Sequence, residues 1–194
     1  MNDHATVAQS ELASRTLARL AALGVVPIGV SDDSRHLRPG DLFLAYPGDC
    51  SDGRRHIAEA IAKGAVAVVW EQDRSGVADF TWNRDWQLAN LALPGLRELS
   101  GPLAHAVYGH PSERLSLIAV TGTNGKTSVT QWIGRTHPRR CAIIGTLGAG
   151  LPGELVETGF TTPAATTLMR CLAGFADDEV QACALEASSI GIAE

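Results

Sequence analysis

Leu117-Ile-Ala-Val120 runs without a break into Thr121-Gly-Thr-Asn-Gly-Lys-Thr-Ser128. Four apolar residues leading into a loop with glycines at 122 and 125 describe a buried strand that ends in a tight turn. Beyond it, Val129, Trp132 and Ile133 recur at helical spacing. Strand, glycine loop and helix make a cradle for phosphate. Glycine lets the backbone take positive φ and turn its N–H groups inward, and the helix adds the partial positive charge of its first turn. Lys126 can neutralise phosphate oxygens, and the Thr127 hydroxyl can ligate Mg²⁺. The common phosphate loop keeps four residues between its first glycine and Gly-Lys, which would require glycine at position 120, where Val120 stands. The loop here is tighter, with only Thr123 and Asn124 between its glycines. A strand-to-helix turn with a solvated lysine is the competing reading, and composition weighs against it. Of the sixteen basic residues only Lys63 and Lys126 are lysines, and a compact ammonium suits a point charge among phosphates better than a planar guanidinium.

From Leu115 onward, strands alternate with helical segments. Residues 115–120 feed the loop, Cys141-Ala-Ile-Ile144 is a second apolar run, and Val180-Gln-Ala-Cys-Ala-Leu185 is a third. This alternation implies a parallel sheet with right-handed crossovers, in which ligands bind beyond the carboxyl ends of the strands. The loop at Gly122 sits at one such end and Glu186 at another. Glu186 is then either the acid that holds Mg²⁺ beside a phosphate loop or a carboxylate capping a strand end. Pro138 limits the helix after the loop.

Upstream, the first dozen residues are polar and expected to fray, after which Ala13, Leu17 and Leu20 mark an amphipathic helix stopped by Gly24. Asp33-Ser-Arg-His-Leu-Arg-Pro-Gly40 is a turn-rich segment before the strand Asp41-Leu-Phe-Leu-Ala-Tyr46. Ile57 and Ile61 lie on one face of a helix closed by Gly64, and Ala65-Val-Ala-Val-Val-Trp70 is a buried strand, completing a β-α-β unit. Residues 71–92 are ambiguous, and Trp70, Trp82 and Trp86 are assigned to core or edge packing. A helix around Leu96, Leu99 and Leu103 runs to Tyr108, and Gly109-His-Pro111 reads as a linker. The fold class is α/β: a small N-terminal α/β domain over residues 1–111, then an incomplete parallel-sheet central domain of phosphate-loop type over residues 112–194.

A chain of 194 residues, 45% hydrophobic and 19% charged, can bury two small cores, and its net charge of −5 argues against binding to nucleic acid or an anionic membrane. The four cysteines, Cys50, Cys141, Cys171 and Cys183, form no C-x-x-C pair, and neither a signal peptide nor a membrane-length apolar run is visible. Reduced thiols in the cytoplasm are the expectation. The six histidines show no metal-ligand spacing with these cysteines and are assigned to surface or packing roles.

The loop Thr121 to Ser128 resembles the ATP loop of the Mur ligases and the related folylpolyglutamate synthases. Asp33-Ser-Arg35, Pro39-Gly-Asp-Leu-Phe43, Asp52-Gly-Arg54 and Gly64-Ala65 resemble the N-terminal domain shared by the members that add the third residue and the terminal dipeptide to the peptidoglycan precursor. Ile144-Gly-Thr-Leu-Gly148, Thr161-Thr-Pro163 and Glu186-Ala-Ser-Ser189 resemble the third-residue branch. The resemblance implies that Gly122, Thr123, Asn124, Gly125, Lys126, Thr127 and Ser128 hold ATP. It implies catalytic roles for Lys126 and Glu186, with Thr127 and Glu186 ligating Mg²⁺. Thr161, Thr162 and Ser188 would contact UDP-N-acetylmuramoyl-dipeptide, and Asp32, Ser34, Asp49, Cys50 and Ser51 would hold its uridine diphosphate end. Two plainer readings stand beside these roles: an N-cap with proline at N1 for Thr161-Thr-Pro163, and a plain surface turn for Asp32, Ser34 and the loop Asp49-Cys-Ser51.

The implied reaction is ATP-dependent amide formation. The γ-carboxylate of D-glutamate takes the γ-phosphoryl group, and the amine of a diamino acid, meso-diaminopimelate, attacks the resulting acyl phosphate. Such chemistry needs positioning and charge neutralisation more than a protein nucleophile, consistent with a site without a Ser-His-Asp or Cys-His constellation. The sequence ends at Glu194, within the central domain as the family has it. The expectation is therefore a fragment or truncated form, inactive in ligation alone. Two alternatives stay open by resemblance: a non-catalytic module binding ATP or a UDP-sugar, and the sister ligase that adds D-alanyl-D-alanine, which Thr161-Thr-Pro163 disfavours. An unrelated phosphate-loop kinase would leave residues 30–65 without explanation.

Overall fold

The computed structural model describes residues 3–49, 51–72 and 80–188. By contact the chain divides into two compact units, Met1–Tyr108 and Gly109–Glu194. The α/β class expected from the sequence is what the structure shows, with strands of both units running parallel but for one short exception. Among the described residues no helix is long and apolar enough to cross a membrane.

In the first unit, helix α1 (Asp3–Ala22) precedes strands β1 (Gly29–Ser31) and β2 (Asp41–Ala45). A 3-10 turn (Gly53–His56) leads into α2 (Ile57–Ala62), followed by β3 (Ala67–Glu71), β4 (Ala89–Leu93) and α3 (Leu96–Val107). The four strands form a parallel sheet in chain order, with Val30 opposite Leu42, Phe43 opposite Val68 and Val69 opposite Leu91. A parallel sheet is covered on both faces, so its strands read as continuous apolar runs rather than alternations. Leu42, Phe43, Leu44 and Ala45 are accordingly all fully buried. Phe43, Ala45 and Val68 pack with Ile57 and Ala60 on the α2 side, while α3 lies against β1, β2 and β3 with α1 packed on it.

Two corrections concern this unit. Helix α1 reaches back to Asp3 through the residues expected to fray, a stretch with no glycine or proline to stop it. Strand β1 was not foreseen, because three residues, Gly29-Val-Ser31, carry too little pattern. Its outer edge is satisfied by a side chain: the Val30 N–H donates to the Tyr108 hydroxyl at 3.1 Å. The tryptophans pack as expected. Trp70 meets Phe80 edge-on at 5.2 Å and Trp82 meets Trp86 at 5.0 Å, the group resting on the α2-side core.

In the second unit, a single helical turn α4 (Pro111–Arg114) leads into β5 (Ser116–Val120), α5 (Lys126–Thr136), β6 (Cys141–Gly145), β7 (Gly148–Gly150), α6 (Ala165–Asp177) and β8 (Ala182–Glu186). The sheet order is β5-β8-β6-β7. Strand β8 pairs in parallel with both β5 and β6, and β7 returns antiparallel to β6. Leu168, Leu172 and Phe175 of α6 cover one face, against Ala142, Ile144 and Cys183. Ile133 of α5 covers the other, against Cys141, Ala182 and Ala184. Helix α5 ends before His137, whose extended backbone (ψ 134°) is the conformation a residue preceding proline prefers.

The apolar face expected on α5 is corrected. Val129 and Trp132 remain 39% and 66% exposed, and Thr130 is the fully buried residue. Small residues let this helix approach the sheet: a Cβ added at Gly134 would run into Ile143. The antiparallel β7 also departs from the all-parallel expectation, since Gly148-Ala-Gly150 lacks the apolar run that announces a strand.

Candidate functional site

Strand β5 delivers the chain to the loop at Val120, and helix α5 leaves it at Lys126. Gly122 and Gly125 take φ of 146° and 79°, conformations that L-residues avoid, so these two glycines are required for the turn itself. Thr121 through Gly125 are exposed. The Lys126 ammonium folds back over the loop and donates to the Gly122 carbonyl at 2.8 Å. Exposed amides, a helix N-terminus and a tethered ammonium are the components of an anion site.

Register brings the second component. Val120 lies opposite Glu186 on the adjacent strand, so the acid at the carboxyl end of β8 falls beside the first turn of α5. The Thr127 hydroxyl donates to Glu186 Oε2 at 3.0 Å. Glu186 is 1% exposed, and a carboxylate so buried requires several donors. Thr146 supplies two more: its N–H to Oε1 at 3.1 Å and its hydroxyl to Oε2 at 3.0 Å. Thr146 lies within the Ile144-Gly-Thr-Leu-Gly148 stretch but went unassigned from sequence. The available signal was a Gly-Thr closing a buried strand next to the strand that bears the acid.

The expected substrate residues of this unit gather around the same carboxylate. Thr161 Oγ1 is 3.2 Å from Thr146 Oγ1. The Thr162 hydroxyl donates to the Glu186 backbone carbonyl at 2.9 Å and accepts from the Ser188 N–H at 3.0 Å. The N-cap reading of Thr161-Thr-Pro163 is corrected, because α6 has Ala164 at its N-cap without a side-chain bond. Thr162 serves the Glu186 turn instead. Thr123, Asn124 and Ser128 stand exposed along the loop and the start of α5. Ser189, the last residue of the Glu186-Ala-Ser-Ser motif, lies outside the described residues.

The candidate residues of the first unit fall into three linked groups. Asp32 and Tyr46 follow the carboxyl ends of β1 and β2, and the Tyr46 hydroxyl donates to Asp32 Oδ2 at 2.6 Å. Burial, and then the Asp32 carboxylate beside it, push the Tyr46 phenol well above its ordinary range. Asp49 receives both terminal nitrogens of Arg97 at 2.8 and 3.0 Å, which holds its carboxyl below the usual value. Ser34, 4% exposed, donates to Glu59 Oε2 at 2.9 Å, and Lys63 bridges Glu59 to the Ser34 carbonyl. Ser51 Oγ is 3.1 Å from His56 Nε2, and His56 Nδ1 is 3.7 Å from the same Glu59. Cys50 lies outside the described residues.

Ser51, His56 and Glu59 form a serine-histidine-acid line within the first unit. Its His-Glu separation exceeds hydrogen-bond length, and all three residues meet solvent, so it serves as a surface link. Tyr46, Arg97, His56 and Glu59 were not singled out from sequence. The turn reading of residues 32–34 also holds locally, since Asp33 accepts from the Arg35 N–H at 2.8 Å and grips its guanidinium.

Two family models match the chain: "Mur ligase family, catalytic domain" over residues 28–119 and "Mur ligase middle domain" over residues 120–194. The chain is 44% identical over 171 residues to the UDP-N-acetylmuramoyl-L-alanyl-D-glutamate--2,6-diaminopimelate ligase of Janthinobacterium sp. (strain Marseille), covering 84% of this chain and 33% of that protein. It is 45% identical over 172 residues to the ligase of the same name in Acidovorax sp. (strain JS42), again covering 84% and 33%. A solved structure of such a ligase superposes with a TM-score of 0.64 at 28% identity, covering 86% of this chain and 33% of that one. The chain thus spans about a third of the length of the curated relatives it matches.

Proposed function

The chain belongs to the Mur ligase family, and on that premise we propose that it carries the nucleotide-handling part of an ATP-dependent ligase. That ligase adds 2,6-diaminopimelate, as the third residue, to UDP-N-acetylmuramoyl-L-alanyl-D-glutamate, the reaction in the names of its relatives. The observation that carries the reading is the approach of Thr127 to Glu186 at the mouth of the glycine loop. A loop of exposed amides, an ammonium at its rim and a hydroxyl-carboxylate pair behind it are what phosphoryl transfer asks of a protein: positioning and charge neutralisation.

In this reading Gly122 to Ser128 cradle the ATP phosphates, and Lys126 exchanges the Gly122 carbonyl for a γ-phosphoryl oxygen. Thr127 and Glu186 offer a hydroxyl and a carboxylate, hard oxygen donors of the kind Mg²⁺ takes. When bound there, the cation supplies further neutralisation of phosphate charge. Thr161, Thr162 and Ser188 present hydroxyls to the muramoyl-dipeptide. Asp32, Ser34, Asp49 and Ser51, with Cys50 between the last two, receive its uridine diphosphate end. The acceptor γ-carboxylate becomes an acyl phosphate, and the amine of the diamino acid displaces phosphate from it. Free thiols at Cys141, Cys171 and Cys183 suit the cytoplasm, where ATP is supplied.

Calorimetry with Mg-ATP and with UDP-N-acetylmuramoyl-dipeptide tests this. Saturable binding of both ligands to the chain is expected. Failure to bind ATP would overturn the reading. Binding of both without ADP release would assign the chain a binding role, leaving turnover to residues beyond it.

A further inference from the structure

Glu186 lies directly across the end of β6, a placement that only glycine at position 145 permits. A Cβ at Gly145 would collide with Glu186 Oε1, Cδ and Cγ. The backbone at this position is not in the left-handed region, so the glycine is required for space and not for conformation. The next residue completes the contact. Thr146 donates its N–H to Oε1 and its hydroxyl to Oε2, engaging both carboxylate oxygens from one residue. The same hydroxyl lies 3.2 Å from Thr161 Oγ1.

We propose that Gly145 and Thr146 form a seat that fixes the Glu186 carboxylate as a divalent-cation ligand beside Thr127, and that Thr146 ties this seat to Thr161. This rests on the ligase reading for the identity of the bound nucleotide, but the seat itself is a property of three residues. A buried carboxylate without fixed partners would turn toward other donors. The two Thr146 donors hold it in one rotamer, with Oε2 turned toward Thr127. Thr146 and Gly145 are positioning residues, acting through Glu186. Partners that orient a metal ligand commonly govern affinity by about 10–100-fold.

Mn²⁺ alone serves as the probe, titrated against the whole chain by electron paramagnetic resonance. The wild type is expected to show a site that Glu186→Gln removes. Thr146→Val, which keeps the N–H bond and loses the hydroxyl, should weaken it by about 10-fold or more. Thr146→Ser should keep it within about threefold of wild type on the same basis. Gly145→Ala should weaken it as Thr146→Val does, with the thermal unfolding of each variant recorded to show that the fold persists. Unchanged Mn²⁺ affinity in Thr146→Val and Gly145→Ala would overturn the seat, as would a wild type without a Glu186-dependent site. ATP affinity measured in EDTA reports the ligase reading separately. ATP bound with no Mn²⁺ site sinks the seat alone, and a Mn²⁺ site without ATP binding sinks the ligase reading alone.

Discussion

Thr127 Oγ1 and Glu186 Oε2 stand 3.0 Å apart although 59 positions separate them in the chain. The parallel register of β5 and β8 fixes this, because Val120 opposite Glu186 leaves the loop just enough residues to bring Thr127 above the acid. If the pair grips a cation, removing the hydroxyl should affect cation-dependent binding selectively. Thr127→Val is expected to lower ATP affinity in Mg²⁺ by about 10-fold while leaving affinity in EDTA near wild type. Thr127→Ser should behave as wild type. An equal loss in both buffers would show that the hydroxyl acts on the loop and not through the cation.

Lys126 spends its charge on the Gly122 carbonyl, a neutral partner at 2.8 Å, so a phosphate oxygen is a better one. Lys126→Ala should weaken ATP binding by about 10- to 100-fold, the worth of one hydrogen bond to a charged group. Lys126→Arg keeps the charge but not the compact reach, and should fall between the two. Calorimetric titration checks both, and wild-type affinity in Lys126→Ala would remove the residue from the site.

An acid-stability signature is expected in the first unit. Hydrogen bonds from the Arg35 side chain hold the Asp33 carboxyl down at about 2. A folded value below the unfolded one of about 3.9 means that this contribution is complete above roughly pH 4 and is lost as pH falls toward 2. Arg35 is largely in solvent, so the effect is modest and weakens with salt. Asp33→Asn should flatten the fall of the urea midpoint between pH 4 and 2 relative to wild type. Superimposable acid limbs for the two proteins would refute the assignment.

What the sequence made legible follows from where information is local. Cys141 to Ile144 announces a buried strand because both of its faces are covered. Glu186 could be placed at a strand end for the same reason. Leu117 to Val120 carries the same apolar run, but β5 is an edge strand with no buried residue and Leu117 is 42% exposed, so its expected burial is corrected, while the glycine loop after it is a local motif. The partners could not be read. Thr146 reaches Glu186 across 40 positions and Arg97 reaches Asp49 across 48, contacts set by strand order and helix packing. Strand β7 escaped because Gly148-Ala-Gly150 offers a single methyl group, too little to form a pattern. It is held by pairing with β6 and by Ala149 meeting Val156. Helix α5 misled for a physical reason: spacing identifies an apolar stripe, but here small residues face the sheet and Trp132 faces water.

Glu71 illustrates a contact whose energy can be isolated. It ends β3, and its carboxylate accepts from the N–H groups of Gly95, at 2.8 Å, and of Leu96, at the start of α3. Gly95 occupies the N-cap position with φ of 70° and has no side chain to cap the helix, so the glutamate from a neighbouring strand supplies the missing acceptor. Its charge also meets the positive end of the helix dipole. Helix α3 carries Leu96, Leu99 and Leu103, all essentially buried, so fraying of its first turn would loosen the core it covers. Glu71→Ala should therefore cost about 1–2 kcal/mol of unfolding free energy, in the range of a lost N-cap with a charged acceptor. Glu71→Gln keeps one acceptor and loses the charge, and should cost about half as much. Urea unfolding at neutral pH gives both values, and hydrogen exchange at Leu96 locates the change. A loss below about 0.3 kcal/mol for Glu71→Ala, within the range of ordinary surface substitutions, would mean that water replaces the carboxylate at no cost.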